Sequence, residues 1–269
     1  MLNQVAYSNE NDYKGLMLGS GSPATRKRKR HVQQELFTHG GKRKGAGRKP
    51  TRARGGTPHR KRKALAECAV IHVTLRTVDD VGNLRRREVY KAVRAASITA
   101  ARRAKFRICQ LSIQHNHIHM LVEADDTEAL ASGMHGFQIS AARHINTALH
   151  ANGRRRRGSV FADRYHAVVV RSPRQARNVL AYVLGNWRKH REDQAGLPRT
   201  WLVDPFSTAI LFAGWKELEG EPPWRIPPGY EPLRVTAARS WFLTAGWKRH
   251  GAISVHEVPS RRPNPPPRR

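Results

Sequence analysis

The sequence predicts an α+β fold: a ferredoxin-like βαββαβ core with an antiparallel sheet, one further helix after the core and a flexible basic arm before it. Stretches of strand-like and helix-like apolar periodicity alternate from residue 69 to residue 191, in the order β-α-β-β-α-β-α. The first six elements have the split-βαβ order, whose sheet is mostly antiparallel. Residues 1–63 are instead poor in apolar side chains and rich in Gly, Lys and Arg, which disfavours a packed core.

The first half of the core contains one strand, one helix and two β-rich runs. Ile71, Val73 and Leu75 alternate with polar residues, as in a strand with one buried face. Residues 84–103 are predicted as a helix because apolar residues recur at helical spacing, at Val89, Val93, Ala96 and Ala100. Residues 106–115 and 117–123 are rich in β-forming residues and meet at Asn116, so they form either two paired strands or one bent strand.

The second half of the core contains a long helix and a strand. Asp126 and Thr127 are both suitable N-caps before an apolar stripe with helical spacing, and the Asn-Gly pair at residues 152–153 is predicted to end that helix. Residues 160–170 are predicted to form one strand. These two elements complete the βαββαβ core.

The charge of the chain indicates a polyanionic partner. Lys and Arg number 50 against 20 acidic residues, so the net charge is +30 and the sequence pI is about 11.5. Residues 24–63 hold half of that excess, with Glu35 as their one acid. Although such a run can simply be a solvated surface, this density favours contact with nucleic-acid phosphates, which gives affinity without sequence choice.

The remaining composition predicts a cytoplasmic, nucleoid-associated protein. The two cysteines, Cys68 and Cys109, are too few for a disulfide framework or a four-thiolate zinc site. The sequence has no apolar run long enough for a membrane span and no signal-peptide pattern at its start. We therefore expect no membrane partner.

Three regions follow from these patterns. Residues 1–63 are predicted as the flexible basic arm, residues 64–196 as the catalytic domain, and residues 197–269 as a separate, smaller region rich in Trp and Pro. This last region is basic and is predicted as a possible DNA-binding accessory.

The motif His117-Ile118-His119 is the first candidate for chemistry. Residues two apart on a strand share a face, so both imidazoles point the same way and Ile118 points to the core. Two imidazoles held this close can chelate one cation. Surface histidines of a DNA-binding sheet explain the motif equally well, and His115 forms a second such pair with His117.

The last predicted helix displays a tyrosine. Ser172 and Pro173 predict its N-cap and first turn, and it ends near residue 191. Its apolar stripe lies opposite a polar face that carries Tyr182, Asn186 and Lys189. Such a tyrosine is most often an ordinary surface residue, but Asn186, one turn on, could supply a metal-binding oxygen beside it.

A third candidate is the segment at residues 161–166, which follows four arginines at 154–157. It combines cations with aromatic residues and suits a single-stranded nucleic acid. Bases stack on aromatic rings and phosphates pair with guanidinium groups in such grooves. An ordinary sheet edge is the alternative. The predicted DNA-contacting residues are Arg154, Arg155, Arg156, Arg157, Arg164 and Tyr165, together with Lys189.

These motifs together resemble those of a known family. Residues 70–191, with His117-Ile118-His119, the segment FADRYH at 161–166 and YVLGN at 182–186, resemble the single-tyrosine HUH transposases of insertion sequences. They are most similar to the REP-associated tyrosine transposases, which are linked to repetitive extragenic palindromes. Residues 40–63 and the segment DPFS at 204–207 also resemble segments of that subgroup.

The resemblance implies a specific site and reaction. It implies that His117 and His119 bind Mg²⁺ or Mn²⁺ and that Tyr182 attacks a phosphodiester, forming a 5′-phosphotyrosine and releasing a 3′-hydroxyl. Many relatives have a Gln four residues after the tyrosine as a metal ligand. Here Asn186 holds that position, and Glu123 is the reserve ligand. The implied substrate is single-stranded DNA with hairpins or palindromes, and the implied process is DNA transposition.

Two other classes of function fit parts of the sequence. A non-catalytic DNA- or RNA-binding regulator explains the charge and the aromatics but not Tyr182 with Asn186 one turn on. A rolling-circle replication initiator or relaxase shares the two histidines and the tyrosine, but usually comes with helicase or larger partner domains, and the sequence has no phosphate-loop motif. The choice between monomer and homodimer stays open.

Overall fold

The computed structural model describes residues 64–151, 154–194, 201–218, 224, 226 and 228–259, with the backbone alone at 150, 151 and 154. All of them belong to one compact unit, residues 50–269. The predicted arm at 1–63 and the Asn-Gly pair at 152–153 lie outside the described residues. Within the described part of the chain, no helix is long and apolar enough to cross a membrane.

The main sheet has four strands, each antiparallel to its neighbours. They are β1 (Ala69–Arg76), β2 (Phe106–Ile113), β3 (His117–Ala124) and β6 (His166–Val169), in the spatial order β2-β3-β1-β6. A separate two-stranded hairpin pairs β4 (His150–Ala151) with β5 (Arg154–Arg155). The main sheet has the strand order of a ferredoxin-like fold, so the predicted fold class is confirmed.

Four α-helices in the described part of the chain accompany the sheet. They are α1 (Arg87–Ala100), α2 (Thr127–Ala148), α3 (Pro173–Lys189) and the single turn α4 (Trp241–Thr244). The caps predicted for α2 and α3 are present, since Asp126 accepts from the Ala129 amide and Ser172 from the Gln175 amide. The order of elements along the chain, β1-α1-β2-β3-α2-β6-α3, therefore matches the predicted order, with the small hairpin inserted between α2 and β6.

The two faces of the sheet pack against different helices. The side chains of Ile71, Val73, Ile118 and Met120 lie in one core with α1 and α2. On the opposite face, Val70 and Leu121 belong to a second core that includes α3. His117 and His119 share the face of Leu121 because side chains alternate along β3.

The β2–β3 connection settles one open alternative. Ile113 lies opposite Ile118, and the Gln114 amide donates to the His117 carbonyl at 2.9 Å. The two runs are thus paired strands joined by a tight turn. The Leu84 amide donates to the His115 carbonyl of this turn at 2.8 Å, and α1 begins at Arg87 and ends at Ala100, inside the predicted bounds of 84 and 103.

The prediction of one strand over residues 160–170 is wrong. Only His166–Val169 pairs as a strand, while Phe161 forms an isolated bridge with Thr77. Between them the chain bends and Tyr165 lies in the core with 7% of its surface exposed. Tyr165 shares this core with Ala167, two residues later, so the ring lies on the face that alternation along β6 gives it although the pairing stops at His166.

The described residues after 200 cover the outer side of α3. Val203, Trp215 and Trp247 share one buried core with Leu180 and Leu184 of this helix. Arg177 pairs with Glu257 and Arg188 Nε donates to the Val255 carbonyl at 2.6 Å. This part of the region predicted as separate is therefore packed onto the core; its role as a DNA-binding accessory stays a prediction.

Candidate functional site

The two histidines of the β3 motif face each other. Their Nε2 atoms are 3.0 Å apart and their ring centroids 4.6 Å apart, and His119 is only 4% exposed. Two imidazole nitrogens that each lie about 2.1 Å from one ion are separated by roughly 3 Å. The predicted common direction of His117 and His119 is confirmed, and the spacing of their nitrogens fits a shared cation.

Burial keeps both imidazoles neutral. It lowers the pKa of His117 to about 4, with smaller contributions from His190 and Arg76, and it lowers the pKa of His119 well below its usual value. Because a metal competes with protons for the ring nitrogen, a lowered pKa leaves the lone pairs available at neutral pH.

The second ring nitrogen of His119 has two neighbours on β1. His72 Nε2 and Thr74 Oγ1 each lie 3.2 Å from His119 Nδ1. A histidine that binds a metal through one nitrogen carries its proton on the other, and an acceptor there fixes the tautomer and the orientation of the ring. His72 and Thr74 are placed to do this for His119.

Tyr182 reaches this cluster from α3. Its ring centroid lies 5.0 Å from that of His119 and 5.7 Å from that of His72, and Lys189 Nζ lies 4.8 Å from the ring centroid. Tyr182 therefore lies next to the histidine motif, as the resemblance implies. Its side chain is half-buried, whereas the sequence predicts an exposed one. Burial raises the pKa of the Tyr182 phenol, so it is neutral at pH 7.

Asn186 is fully buried, which differs from the exposed polar face predicted for it. The burial follows from the position of α3, which is covered on one side by the sheet and on the other by residues after 200. Among the described residues, neither Oδ1 nor Nδ2 of Asn186 has a hydrogen-bond partner. An unpaired buried amide costs about 1–3 kcal/mol, so an oxygen donor kept in this state fits a metal ligand.

Glu123 has a different role from the reserve metal ligand predicted for it. Its carboxylate is fully buried and accepts from Arg107 Nε at 3.1 Å. It also accepts from the backbone amides of Arg239 and Ser240 at 2.9 Å each. Because these partners occupy both oxygens, we remove Glu123 from the metal hypothesis. No group of three or more His, Cys, Asp or Glu suited to a metal occurs among the described residues.

The ion pair of Glu123 leads to a prediction about stability. Glu123→Gln should lower the free energy of unfolding by about 3 kcal/mol, because it leaves the buried Arg107 guanidinium without its main counter-charge. Urea unfolding at pH 7 measures this. Asp125→Asn is the matched control, since Asp125 contacts Arg107 at 3.4 Å but is partly exposed, and should cost less than about 1 kcal/mol. Equal losses in the two variants would contradict the assignment.

The predicted DNA-contacting residues have different surroundings. Arg155, Arg157 and Arg164 are exposed, whereas Arg156 donates to Asn146 Oδ1 at 2.6 Å and to the Ser159 carbonyl at 2.9 Å. Only the backbone of Arg154 is described. The buried ring of Tyr165 corrects its predicted DNA-contacting role.

Two further residues of the cluster were missed in the sequence. His72 contacts His119, and the His190 ring centroid lies 6.0 Å from that of His117. A signal existed for His190, which follows Tyr182 and Asn186 at the same four-residue interval. His72 gave no such signal, because its approach to His119 depends on the register between β1 and β3.

Part of the chain matches a known protein family. Residues 68–186 match the family model described as "Transposase IS200 like", a segment that includes His117, His119, Tyr182 and Asn186. No curated protein sequence matches the chain. One matching solved structure is described as "Structure of the REP associates tyrosine transposase bound to a REP hairpin"; it is 15% identical, with coverage of 58% of this chain and 84% of that chain and a TM-score of 0.44.

Proposed function

We propose that this chain, whose residues 68–186 form an IS200-like transposase domain, cuts and rejoins one strand of hairpin-forming DNA through a covalent tyrosine intermediate. A transposase-type role in DNA processing follows from the family; the cleavage chemistry is our proposal. The observation that supports it best is the distance of 5.0 Å between the ring centroids of Tyr182 and His119. It supports Tyr182 as the nucleophile, because the ring lies beside the proposed metal-binding pair.

In the proposed reaction the Tyr182 hydroxyl oxygen attacks the phosphorus of a phosphodiester. The bond from phosphorus to the 3′ oxygen breaks, which leaves a 5′-phosphotyrosine on the protein and a free 3′-hydroxyl on the DNA. The phenol loses its proton in this step, and the 3′ oxygen leaves as a hydroxyl after taking up a proton. Attack of a 3′-hydroxyl on the phosphotyrosine reverses these changes and joins the strands.

The remaining residues of the cluster support this attack. Lys189, whose ammonium lies over the Tyr182 ring, adds positive charge where the phenolate and the scissile phosphate carry negative charge. His72 and Thr74 hold the orientation of His119. A divalent metal, when bound, polarises the phosphate and offsets the charge of the transition state.

The donor set suits either Mg²⁺ or Mn²⁺. His117, His119 and the Asn186 amide oxygen are the proposed ligands. Two imidazoles favour Mn²⁺ in affinity, because Mg²⁺ prefers oxygen ligands, whereas cellular abundance favours Mg²⁺. Asn186 is one methylene shorter than the Gln implied by the resemblance, but its buried amide, which has no hydrogen-bond partner among the residues that the structure describes, suits the same role.

The experiment is cleavage of end-labelled single-stranded hairpin oligonucleotides by the full chain. We expect cleavage with Mg²⁺ or Mn²⁺, a covalent protein–DNA product on denaturing gels, and neither in excess chelator. Full activity in chelator would overturn the metal site. Tight hairpin binding with no cleavage under any metal condition would favour the regulator over the enzyme.

A further prediction concerns the basic arm. A chain that starts at residue 64 lacks the 16 Lys and Arg of residues 24–63 and should bind DNA about tenfold or more weakly near 0.1 M salt. The slope of log affinity against log salt should also become flatter, because fewer counterions are released. Fluorescence anisotropy across a salt series measures both quantities. An unchanged slope would mean that the arm makes no phosphate contacts.

A further inference from the structure

We infer that a groove between α1 and the segments around Phe206 and Tyr230 binds an unpaired nucleotide of the DNA strand by stacking, an inference that extends the proposed function. Tyr90 on α1 lies 5.8 Å from Phe206 and 5.9 Å from Tyr230, measured between ring centroids. Trp201 lies 5.0 Å from Tyr230. Four rings thus follow one another along a single groove that α1 and these segments line.

The charges of this aromatic groove favour an anionic ligand. Arg87 and Lys91 lie one turn apart on α1, both exposed and both lining the groove. Neither has an ion-pair partner among the described residues. The acids nearby are already engaged: Asp204 pairs with Arg85 at 2.8 Å and Glu231 with Arg94 at 2.7 Å. Glu192, the remaining acid, lies 3.7 Å from Arg85. Two cations are therefore left for phosphates.

The hydroxyls of the two tyrosines are already hydrogen-bonded within the protein, which favours stacking over base-specific hydrogen bonds. The Tyr90 hydroxyl donates to the Glu231 carbonyl at 2.8 Å, and the Tyr230 hydroxyl donates to the Pro205 carbonyl at 2.6 Å. Tyr90 is buried and Arg85 covers one face of Phe206 at 4.5 Å, so the partly exposed rings of Trp201 and Tyr230 are the ones left for a base, and stacking on ring faces tolerates any base. We therefore expect weak base preference.

The wall of the groove is hydrogen-bonded to the turn that precedes the histidine pair. Arg85, in the groove wall, donates to the Ile113 carbonyl at 2.9 Å, and the neighbouring Leu84 amide donates to the His115 carbonyl at 2.8 Å. His115 belongs to the turn that leads directly into His117. The groove and the proposed catalytic site are therefore linked through one turn of the backbone.

The test uses the full chain and a ten-nucleotide oligothymidine, which forms no hairpin. Replacing both Arg87 and Lys91 with Ala should weaken its binding about tenfold, measured by anisotropy. Trp201→Ala should cause a similar loss, whereas Trp201→Phe, which keeps an aromatic face, should retain most of the affinity. The same oligomer with abasic sites should bind the wild type about tenfold more weakly.

The control removes equal charge elsewhere. Arg102 and Lys105 are exposed beyond the other end of α1, and replacing both with Ala should leave oligothymidine binding within about twofold of wild type. Equal losses in the two double variants, or equal binding of abasic and normal oligomers, would overturn the inference. Since the probe cannot form a hairpin, failure of hairpin cleavage would count against the proposed function alone.

Discussion

Tyr182→Phe should abolish the covalent protein–DNA product and reduce hairpin cleavage by at least about 1000-fold. The substitution removes the only atom that forms the bond to phosphorus and leaves the ring. Contacts of that ring with His119 and with Lys189 remain possible, so hairpin affinity should stay within about twofold. Denaturing electrophoresis of labelled DNA measures the adduct, and anisotropy measures the binding.

Tyr165→Phe is the matched control for the nucleophile. Tyr165 lies in the aromatic and basic segment that the sequence connects with DNA, but its ring is in the core. This variant should keep the adduct, although thermal unfolding must be recorded because the residue is buried. An adduct that persists in Tyr182→Phe and vanishes in Tyr165→Phe would transfer the nucleophilic role to Tyr165.

His117→Ala and His119→Ala should each reduce metal-dependent cleavage by at least about 100-fold while leaving hairpin binding largely intact. Each variant removes one of two nitrogens that lie 3.0 Å apart. Activity should be titrated with Mn²⁺ as well as Mg²⁺, since a weakened site shows first as a higher metal requirement.

His115→Ala is the control for the histidine pair. Its side chain is exposed and its structural contact is made by the backbone carbonyl, which the substitution keeps. Cleavage should remain near the wild-type rate. A loss as large as that of His119→Ala would mean that the metal is held by a different pair in this turn.

Local patterns predicted the parts of the fold that depend on nearby residues. Alternation along β3 was sufficient to orient His117 and His119 together, and Ser172 with Pro173 was sufficient to begin α3. The position of Tyr165 could not be predicted in this way, because a β-rich stretch does not show where a ring enters the core. The βαββαβ order followed from periodicity alone, because each element presents one apolar stripe or face.

The parts of the site that could not be predicted depend on distant residues. Glu123 is engaged by the Arg239 amide, 116 positions later in the chain, and by Arg107 on the neighbouring strand. Asn186 is buried because both sides of α3 are covered, whereas an amphipathic pattern predicts only one covered side. His72 needs the strand register. None of these contacts leaves a periodic signal in the sequence.

The residues that cover α3 lie beyond the segment that matches the family. The family match ends at Asn186, yet the apolar side chains Leu180 and Leu184 pack against residues that come after that point. The Glu257 carbonyl lies so near Gly185 that a Cβ there would be 3.3 Å from it. A protein cut at the homology boundary would keep Tyr182 and the proposed metal ligands but lose Lys189 and the surface that holds α3 in place. The segment that matches the family and the segment needed for a stable fold therefore end at different residues in this chain.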